Sequence, residues 1–381
     1  DLHSFPTRRS SDLETSVLVY KSMKTLKSIS NRFFYFVLLP ATLGIFAWQG
    51  WEWWSWVVSP PVKAQSSEDV AQTLVKIEIP PGTPGQQIGR DLEASGLIRS
   101  ADAWKLWTHW RQLLDRDGEF KAGTYELSPT QPLTKIAETI WKGKVMQLSF
   151  TIPEGWSIQQ MADYFESLGF FSADDFIAAS SKIPWDKYPW LPSELPHLEG
   201  YLYPDTYKLP SDGISPQAVI QQMLNRFEQV ALPVYEKGQY KTQLSINDWV
   251  TLGSIVEKEA VVAEERDRIA GVFTERLRRG MRLETDPTVE YGLGIRQTAD
   301  QPLTYKQVRQ PSPYNTYLNP GLPPTPIASP GIGSLKATLN PEDTEYLFFV
   351  ARYDGTHVFS KTLTEHEAAK NAIRRERRAK Q

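Results

Sequence analysis

The residues best suited to acid–base chemistry are two glutamates, Glu257 and Glu259, which stand two positions apart. They lie in the run LGSIVEKEA at 252–260, and the apolar residues leading into it recur at the spacing of an amphipathic helix. We expect Asn247 or Asp248 to cap the start of this helix. At 100° per residue the two carboxylates point to different faces, so only one of them can face a given cleft.

The face that carries Glu257 is the more apolar of the two. Its neighbours within about 40° are apolar or small: Ile246, Val250, Gly253 and Val261. A carboxyl that loses water on such a face has a raised pKa and can hold a proton for donation. Most helical glutamates are nevertheless solvated surface residues. Periodicity therefore makes Glu257 a candidate and leaves Glu259 as its rival.

The composition excludes several other kinds of chemistry. The 381-residue chain has no cysteine, which removes disulfides, thiol nucleophiles and thiolate metal sites. A net charge of −3 argues against nucleic acid as a partner. The run HEAAK at 366–370 has a lysine where a zinc-binding helix needs its second histidine, and no P-loop or Gly-x-Ser-x-Gly elbow is present. The sequence thus predicts neither a metal nor a cofactor.

The N-terminal region predicts a membrane anchor. Residues 1–15 include HSFPTRRSSDL, which resembles a translated sequencing adapter, and they are excluded from reasoning about the fold. Residues 16–32 are basic, and the apolar and tryptophan-rich segment 33–58 that follows is about as long as a bilayer requires. We expect a transmembrane helix at 33–58 with 16–32 in the cytoplasm, because the positive flank stays inside. The alternative is a signal peptide cleaved near Ala64.

Beyond the anchor the sequence predicts a linker and two further regions. The linker is polar and occupies 59–74. The motif IPPG at 79–82 returns as IPEG at 152–155, and each copy precedes an amphipathic helix that is followed by a glycine. Such βα units resemble LysM-like carbohydrate-binding modules, so we expect a LysM-like subdomain at 75–149. A mixed α+β catalytic domain then follows at 150–381, which makes the fold class α+β.

Two aromatic, proline-rich stretches, at 185–210 and 312–333, lack a helical or strand period. Long punctuated loops of this kind are more often functional than mere spacers. The sequence contains 13 Trp and 16 Tyr, and aromatic rings are surfaces on which sugars stack, although they also fill cores. Carboxylate chemistry beside aromatic loops, on a protein tethered outside the membrane, fits glycan cleavage best.

Four longer motifs carry a specific family resemblance: LEGYLYPDTY at 198–207, GSIVEKEA at 253–260, MRLETDPTVEYGLG at 281–294 and YNTYLNPGLPPTPIASPG at 314–331. Together with the two Ile-Pro-x-Gly repeats they make the chain, from residue 75 to 369, resemble the endolytic murein transglycosylase (YceG-like) family. The resemblance implies a single-pass protein of the cytoplasmic membrane whose catalytic domain is extracytoplasmic and cuts peptidoglycan glycan strands internally. It also implies that Glu257 is the catalytic acid/base.

The resemblance implies a one-carboxylate mechanism for Glu257. A hydrolysing glycosidase requires two carboxylates, whereas a lytic transglycosylase can work with one. Glu257 would protonate the oxygen between N-acetylmuramic acid (MurNAc) and N-acetylglucosamine (GlcNAc), and the substrate's N-acetyl group would stabilise the developing cation. Deprotonated Glu257 would then activate the muramic 6-hydroxyl, which closes a 1,6-anhydro ring without consuming water.

Further residues in the matching motifs are expected to bind substrate: Glu199, Asp205, Asp286, Tyr291, Tyr314, Asn315, Thr316 and Tyr317. Ordinary turn structure is the alternative for several of them, since aspartate before proline and asparagine between tyrosines are common turn choices.

The expected partners are peptidoglycan glycan strands, the cytoplasmic membrane and, from the resemblance alone, peptidoglycan synthases. The protein would terminate or trim nascent strands close to the membrane. The main alternative is a non-catalytic glycan-binding scaffold that recruits synthases. A lysozyme-like hydrolase is a third candidate, and its products would carry reducing ends.

Overall fold

The computed structural model describes residues 34–63, 73–115, 118–298, 301–352 and 354–380. The predicted adapter-derived segment (1–15), the basic segment (16–32) and residues 64–72 of the predicted linker lie outside the described residues. The chain divides into two compact units, Asp1–Met146 and Gln147–Gln381. The described secondary structure is mixed α and β, which confirms the predicted fold class at this level.

The first unit contains four α-helices and one antiparallel pair of strands within its described residues. A π-helical turn, Phe34–Leu38, leads into the first helix. Its elements are α1 (Leu39–Val57), β1 (Val75–Ile79), α2 (Gly85–Ala94), α3 (Ala101–Leu114), β2 (Gly123–Leu127) and α4 (Leu133–Trp141).

Helix α1 continues the π-helical turn into one apolar stretch, Phe34–Val58, of 25 residues. This stretch is long and apolar enough to cross a membrane, and most of its side chains are exposed. Only its end packs on the unit, where Val57 is buried in the core. Arg99 holds the same end by donating hydrogen bonds to the carbonyls of Ser59 and Pro60 at 3.3 and 2.7 Å.

The second unit contains two further antiparallel strand pairs among its described residues, β3 with β4 and β5 with β6. Its strands are β3 (Gln147–Thr151), β4 (Thr206–Pro210), β5 (Phe348–Ala351) and β6 (His357–Ser360). Its helices are α5 (Ile158–Ser167), α6 (Ala173–Ser180), α7 (Pro216–Val230), α8 (Leu232–Gly238), α9 (Ile246–Glu259), α10 (Arg266–Arg278), α11 (Asp286–Leu293), α12 (Tyr305–Val308), α13 (Ile332–Leu339) and α14 (Leu363–Lys380).

The predicted internal repeat is confirmed as local structure. In both copies a strand, β1 or β3, leads through a turn into a helix, α2 or α5. The glycines after the helices, Gly96 and Gly169, have φ of 69° and 71°. Glycine suits these positions because a left-handed residue ends a helix without the steric cost of a Cβ.

Helix α9 is the centre of the second unit, and it packs against α10, α11 and α13. Its eight consecutive residues 249–256 are all buried, so the helix is enclosed on every side rather than along one apolar stripe. The predicted cap was wrong: Ser245 is the N-cap, and its hydroxyl accepts a hydrogen bond from the Asp248 nitrogen at 3.1 Å. Val261 also lies outside the predicted stripe, because the helix ends at Glu259 and leaves Val261 72% exposed.

Candidate active site

Glu257 lies in the last turn of α9, where the helix emerges from the core. Its side chain is only 8% exposed, and its immediate partners are polar. Oε2 accepts hydrogen bonds from the Gly331 nitrogen at 3.1 Å and from the Ser334 hydroxyl at 2.6 Å. Oε1 lies 3.9 Å from the Arg266 guanidinium. One carboxylate oxygen is therefore fixed by two donors, and the other has a cation nearby.

The two donors to Glu257 belong to the start of α13. Gly331 is the N-cap residue of this helix and Ser334 lies in its first turn. The first turn of a helix presents unpaired N–H groups and the positive end of the helix dipole. The fold thus aims the positive end of α13 at the carboxylate of Glu257.

A second carboxylate, that of Glu154, lies beside Glu257. Arg266 is 3.9 Å from Oε2 of Glu154, the same distance as from Oε1 of Glu257. Burial, and next the negative charge of Glu257, raise the pKa of Glu154, while Arg266 opposes the shift. Tyr203 is buried nearby, and burial together with the charge of Glu154 raises its pKa to about 12, so its hydroxyl stays neutral.

Glu259 faces a different group of side chains, as the helix geometry predicted. Burial, and then the charge of Asp286, raise its pKa to about 7. Asp286 in turn accepts a hydrogen bond from the Tyr317 hydroxyl at 2.7 Å. The rival carboxylate therefore belongs to an acidic cluster at the start of α11.

A cavity of about 730 Å³ lies in the second unit, and its lining includes Glu199, Lys258, Tyr291 and Tyr314. Neither Glu257 nor Glu259 is among the described residues that line it. The rings of Tyr291 and Tyr314 meet edge to face with centroids 4.8 Å apart. A volume of this size, walled by aromatic and polar side chains, suits an organic ligand as large as a sugar unit.

Glu199 is the most deeply buried carboxylate of that cavity, with 2% exposure. Both of its oxygens accept from the Ile158 nitrogen at 3.1 Å, and the Tyr291 hydroxyl donates to Oε2 at the same distance. Burial raises its pKa to about 7 despite these hydrogen bonds. Glu199 thus joins the start of α5 to α11.

The remaining predicted substrate residues are engaged within the protein. Asp205 pairs with Arg226 at 2.5 Å. Asn315 is 1% exposed, and its amide donates to the carbonyls of Val308 and Gln310. Thr316 is equally buried and its hydroxyl accepts from the Thr285 nitrogen at 3.1 Å. These contacts organise the loops, and direct contact of these three residues, Asp286 and Tyr317 with substrate stays a prediction.

The sequence reasoning missed four residues around Glu257: Glu154, Arg266, Gly331 and Ser334. One signal pointed to Glu154, because the repeat has proline at this turn position in its first copy (Pro81) and glutamate in its second. A charged residue in only one of two otherwise similar turns indicates that this turn has a role that the other turn lacks. Nothing in the sequence linked Ser334 to Glu257, since 77 positions separate them.

Comparisons with known proteins show which family the chain belongs to. The model of the YceG-like family matches residues 77–372. The endolytic murein transglycosylase of Bacillus subtilis (strain 168) is 32% identical over 318 residues, which cover 80% of this chain and 86% of the relative. That of Streptococcus pneumoniae serotype 2 (strain D39) is 29% identical over 340 residues, which cover 81% of this chain and 59% of the relative.

A solved structure shares the fold. The crystal structure of a protein described as yceG-like, from Listeria monocytogenes, superposes with a TM-score of 0.54 and 35% sequence identity. The match covers 78% of this chain and 99% of the Listeria chain. With the family match spanning most of the sequence, this chain belongs to the YceG-like family.

Proposed function

We propose that this protein is a membrane-anchored lytic transglycosylase that cuts MurNAc–GlcNAc bonds within peptidoglycan strands and leaves 1,6-anhydroMurNAc ends. The names of the Bacillus and Streptococcus relatives support a peptidoglycan-cleaving role. The observation that carries the assignment to Glu257 is the difference between its two oxygens. Oε2 is held by Gly331 and Ser334, whereas Oε1 has no hydrogen-bond donor within the part of the chain that the structure describes.

In the proposed reaction Glu257 acts first as an acid and then as a base. It donates a proton to the glycosidic oxygen while the bond from that oxygen to C1 of MurNAc breaks. The 6-hydroxyl of the same sugar then bonds to C1, and its proton returns to Glu257. The fixed Oε2 limits rotation of the carboxyl, which keeps Oε1 in the position where proton transfer takes place.

The cavity beside Tyr291 and Tyr314 would hold a neighbouring sugar of the strand. Lys258 connects the two places, because it lines this cavity while its ammonium lies 3.4 Å from the Gly155 carbonyl, in the turn that carries Glu154. The edge-to-face tyrosine pair offers aromatic surface against which a pyranose ring can pack. The buried carboxyl of Glu199 adds a hydrogen-bonding group at the same cavity.

The stretch Phe34–Val58 would anchor the protein in the cytoplasmic membrane, with the N-terminus inside and the second unit outside. Residues 75–149 would then act as the LysM-like glycan-binding module. A cavity of about 390 Å³ supports this role, since its lining includes the turn at Pro80–Thr83 and the aromatic residue Phe120. Partnership with peptidoglycan synthases stays a prediction of the family resemblance.

The decisive experiment compares three glutamine variants of the full chain in detergent micelles on purified glycan strands. We expect Glu257→Gln to reduce the rate of anhydro-end formation by about 10²- to 10⁴-fold, the usual contribution of a general acid–base group. Glu259→Gln tests the rival on the same helix. Glu199→Gln tests the rival in the cavity, because its pKa near 7 also suits an acid.

The outcomes separate the proposals. Full activity of Glu257→Gln together with an inactive Glu259→Gln or Glu199→Gln would transfer the catalytic role to the rival carboxylate. Binding of strands by the wild type without any cleavage would favour the scaffold instead.

One observation favours a hydrolase as the second candidate function. Glu154 and Glu257 present two carboxylates to a common site, and hydrolysing glycosidases use such pairs. Mass spectrometry of the products decides between the two reactions, because an anhydro end is lighter than a reducing end by one water molecule. We expect anhydro ends, and a predominance of reducing ends would establish the hydrolase.

A further inference from the structure

We propose that Glu154 is a positioning residue for Glu257, and that the two carboxyl groups, with Arg266 as their shared counter-ion, hold one exchangeable proton between them. The inference deepens the proposed function. Only the catalytic use of the proton rests on that function, and the coupling of the two carboxyls does not. It assigns a role to a residue on the β3–α5 turn, outside the helix that carries Glu257.

The first observation is that both carboxylates meet at Gly331. The nitrogen of Gly331 donates to Oε2 of Glu257. On the same residue, a Cβ would lie 2.0 Å from both Cδ and Oε1 of Glu154. The carboxyl of Glu154 therefore occupies the space that any side chain at position 331 would fill. Glycine at this position lets the two acids approach the same peptide unit.

The second observation is the shared cation. Arg266 lies 3.9 Å from an oxygen of each glutamate, so these two oxygens are no more than about 8 Å apart. The guanidinium is largely buried, at 22% exposure, and its Nε has no hydrogen-bond partner within the described residues. One partly desolvated cation between two acids neutralises only one of them, which favours a proton on the other.

The third observation is that the backbone fixes Glu154 in place. Gly155 has φ of 75°, and its nitrogen donates to the Ser329 carbonyl at 2.8 Å. The Ser329 nitrogen donates back to the carbonyl of Trp156 at 2.8 Å. This reciprocal pair joins the β3–α5 turn to the loop before α13, which supplies Gly331. Glu154 thus faces Glu257 because two loops are hydrogen-bonded together.

Two cations lie near the pair, and they differ in what they face. Arg266 of α10 lies beside both carboxyls, whereas Lys258 of α9 directs its ammonium to the Gly155 carbonyl at 3.4 Å. Tyr203, before β4, stays neutral. Burial and the charge of Glu257 raise the pKa of Glu154. We therefore assign the proton to the two carboxyls together, on the geometry at Gly331 and Arg266.

The proton balance of the reaction follows from this arrangement. When the bond between C1 of MurNAc and the glycosidic oxygen breaks, the pair gives its proton to that oxygen. When the 6-hydroxyl bonds to C1, the pair takes the hydroxyl proton back. The pair then carries the same single proton as before the reaction, and no water enters.

The test compares the variants Glu154→Gln and Arg266→Gln in the full chain, with the exposed Glu194→Gln as the matched control. We measure kcat/KM for anhydro-end formation against pH. Loss of the Glu154 charge makes the remaining proton easier to lose, so the basic limb of the profile moves to lower pH by about half a unit or more. Loss of Arg266 moves that limb to higher pH. Glu194→Gln retains the wild-type profile.

A structural role for Glu154 would not produce these shifts, because glutamine keeps the shape and one acceptor of the side chain. If the Glu154→Gln profile superposes on that of the wild type, the inference is wrong. A shift of both variants in the same direction would overturn it equally.

A second measurement needs no substrate. The carboxyl carbons of the full chain, labelled with ¹³C at glutamate, are titrated by NMR in micelles, and the Glu257 signal is assigned from Glu257→Gln. A change in the Glu257 titration midpoint on Glu154→Gln supports the pair, and an unchanged midpoint refutes it. Failure of the wild type to cut strands would refute the proposed function alone, since this titration still decides whether the carboxyls are coupled.

Discussion

The main-chain nitrogen of Gly331 lies 3.1 Å from Oε2 of Glu257, so the residue that caps α13 donates a hydrogen bond to the carboxylate at the end of α9. This contact joins two of the motifs that defined the family resemblance, GSIVEKEA and the loop ending in ASPG. It also fixes the end of the irregular loop 312–331 to the buried helix of the domain.

Ser334→Ala tests the second donor to Glu257. The Ser334 hydroxyl lies 2.6 Å from Oε2, and a hydrogen bond to a charged group is worth about 1.5–3 kcal/mol. We expect kcat to fall about tenfold to a hundredfold with little change in KM, because Ser334 is buried behind Glu257. Lys336→Ala, an exposed change on the same helix, is the control. An unchanged kcat would show that Gly331 alone suffices to hold the carboxylate.

Gly331→Ala tests the space shared by the two carboxylates. The backbone at Gly331 has φ of −75°, which alanine adopts without strain, but the new Cβ would lie 2.0 Å from the Glu154 carboxyl. Because the Glu154 side chain is 48% exposed, we expect it to swing away. The melting temperature should stay near the wild-type value, while the pH profile of activity should resemble that of Glu154→Gln.

Gly213→Ala is the control for that substitution, since the nearest heavy atom to its Cβ would be a carbonyl oxygen at 3.9 Å. A wild-type pH profile for Gly331→Ala, with Glu154 still beside Glu257 in a crystal structure, would contradict the prediction.

Glu199→Gln tests the effect of a buried acid on stability. The pKa of Glu199 is raised from 4.5 to about 7 in the folded protein, so the folded state binds more protons than the unfolded state between these values. The free energy of unfolding therefore falls as pH rises from about 4.5 to 7, by up to about 3 kcal/mol for this group. Glutamine cannot ionise, so we expect the variant to lose this part of the pH dependence of the free energy of unfolding. Urea unfolding at a series of pH values measures it.

Part of the slope should persist in Glu199→Gln, because the pKa of Glu259 is raised to about 7 as well. Glu259→Gln should remove that second part, whereas the exposed Glu194→Gln should leave the slope intact. A slope that is the same in all four proteins would show that both acids are already neutral or already charged throughout this range.

Gly200→Ala tests the close packing of the segment that carries Glu199. Gly200 has φ of 85°, and an added Cβ would lie 2.4 Å from Pro326 and 2.9 Å from Val250. The left-handed backbone costs alanine about 1–2 kcal/mol, and overpacking adds about 1–3 kcal/mol. Gly169→Ala is the matched control, because its φ is 71° and no atom lies within 4 Å of its Cβ. We expect the control to lose only the backbone contribution to the free energy of unfolding. Equal losses in the two variants would contradict the overpacking at Gly200.

The sequence predicted those strands, turns and helices that depend on residues close together in the chain. The strand, turn and helix of each Ile-Pro-x-Gly repeat appear where the residue types predicted them. The separation of Glu257 and Glu259 onto different faces of α9 also followed from helix geometry alone. The helix cap was the local error: Ser245 provides it, two residues before Asn247 and three before Asp248.

The sequence did not predict which residues surround the carboxylate of Glu257. The sequence determined that Glu257 lies on a helix and within a recognisable motif, because periodicity and motif order are properties of neighbouring residues. Only the tertiary structure brought Gly331 and Ser334 to one of its oxygens, Arg266 to the other, and Glu154 beside them. These partners come from separate elements, and their distances depend on how the helices and loops pack around α9, which no local pattern records.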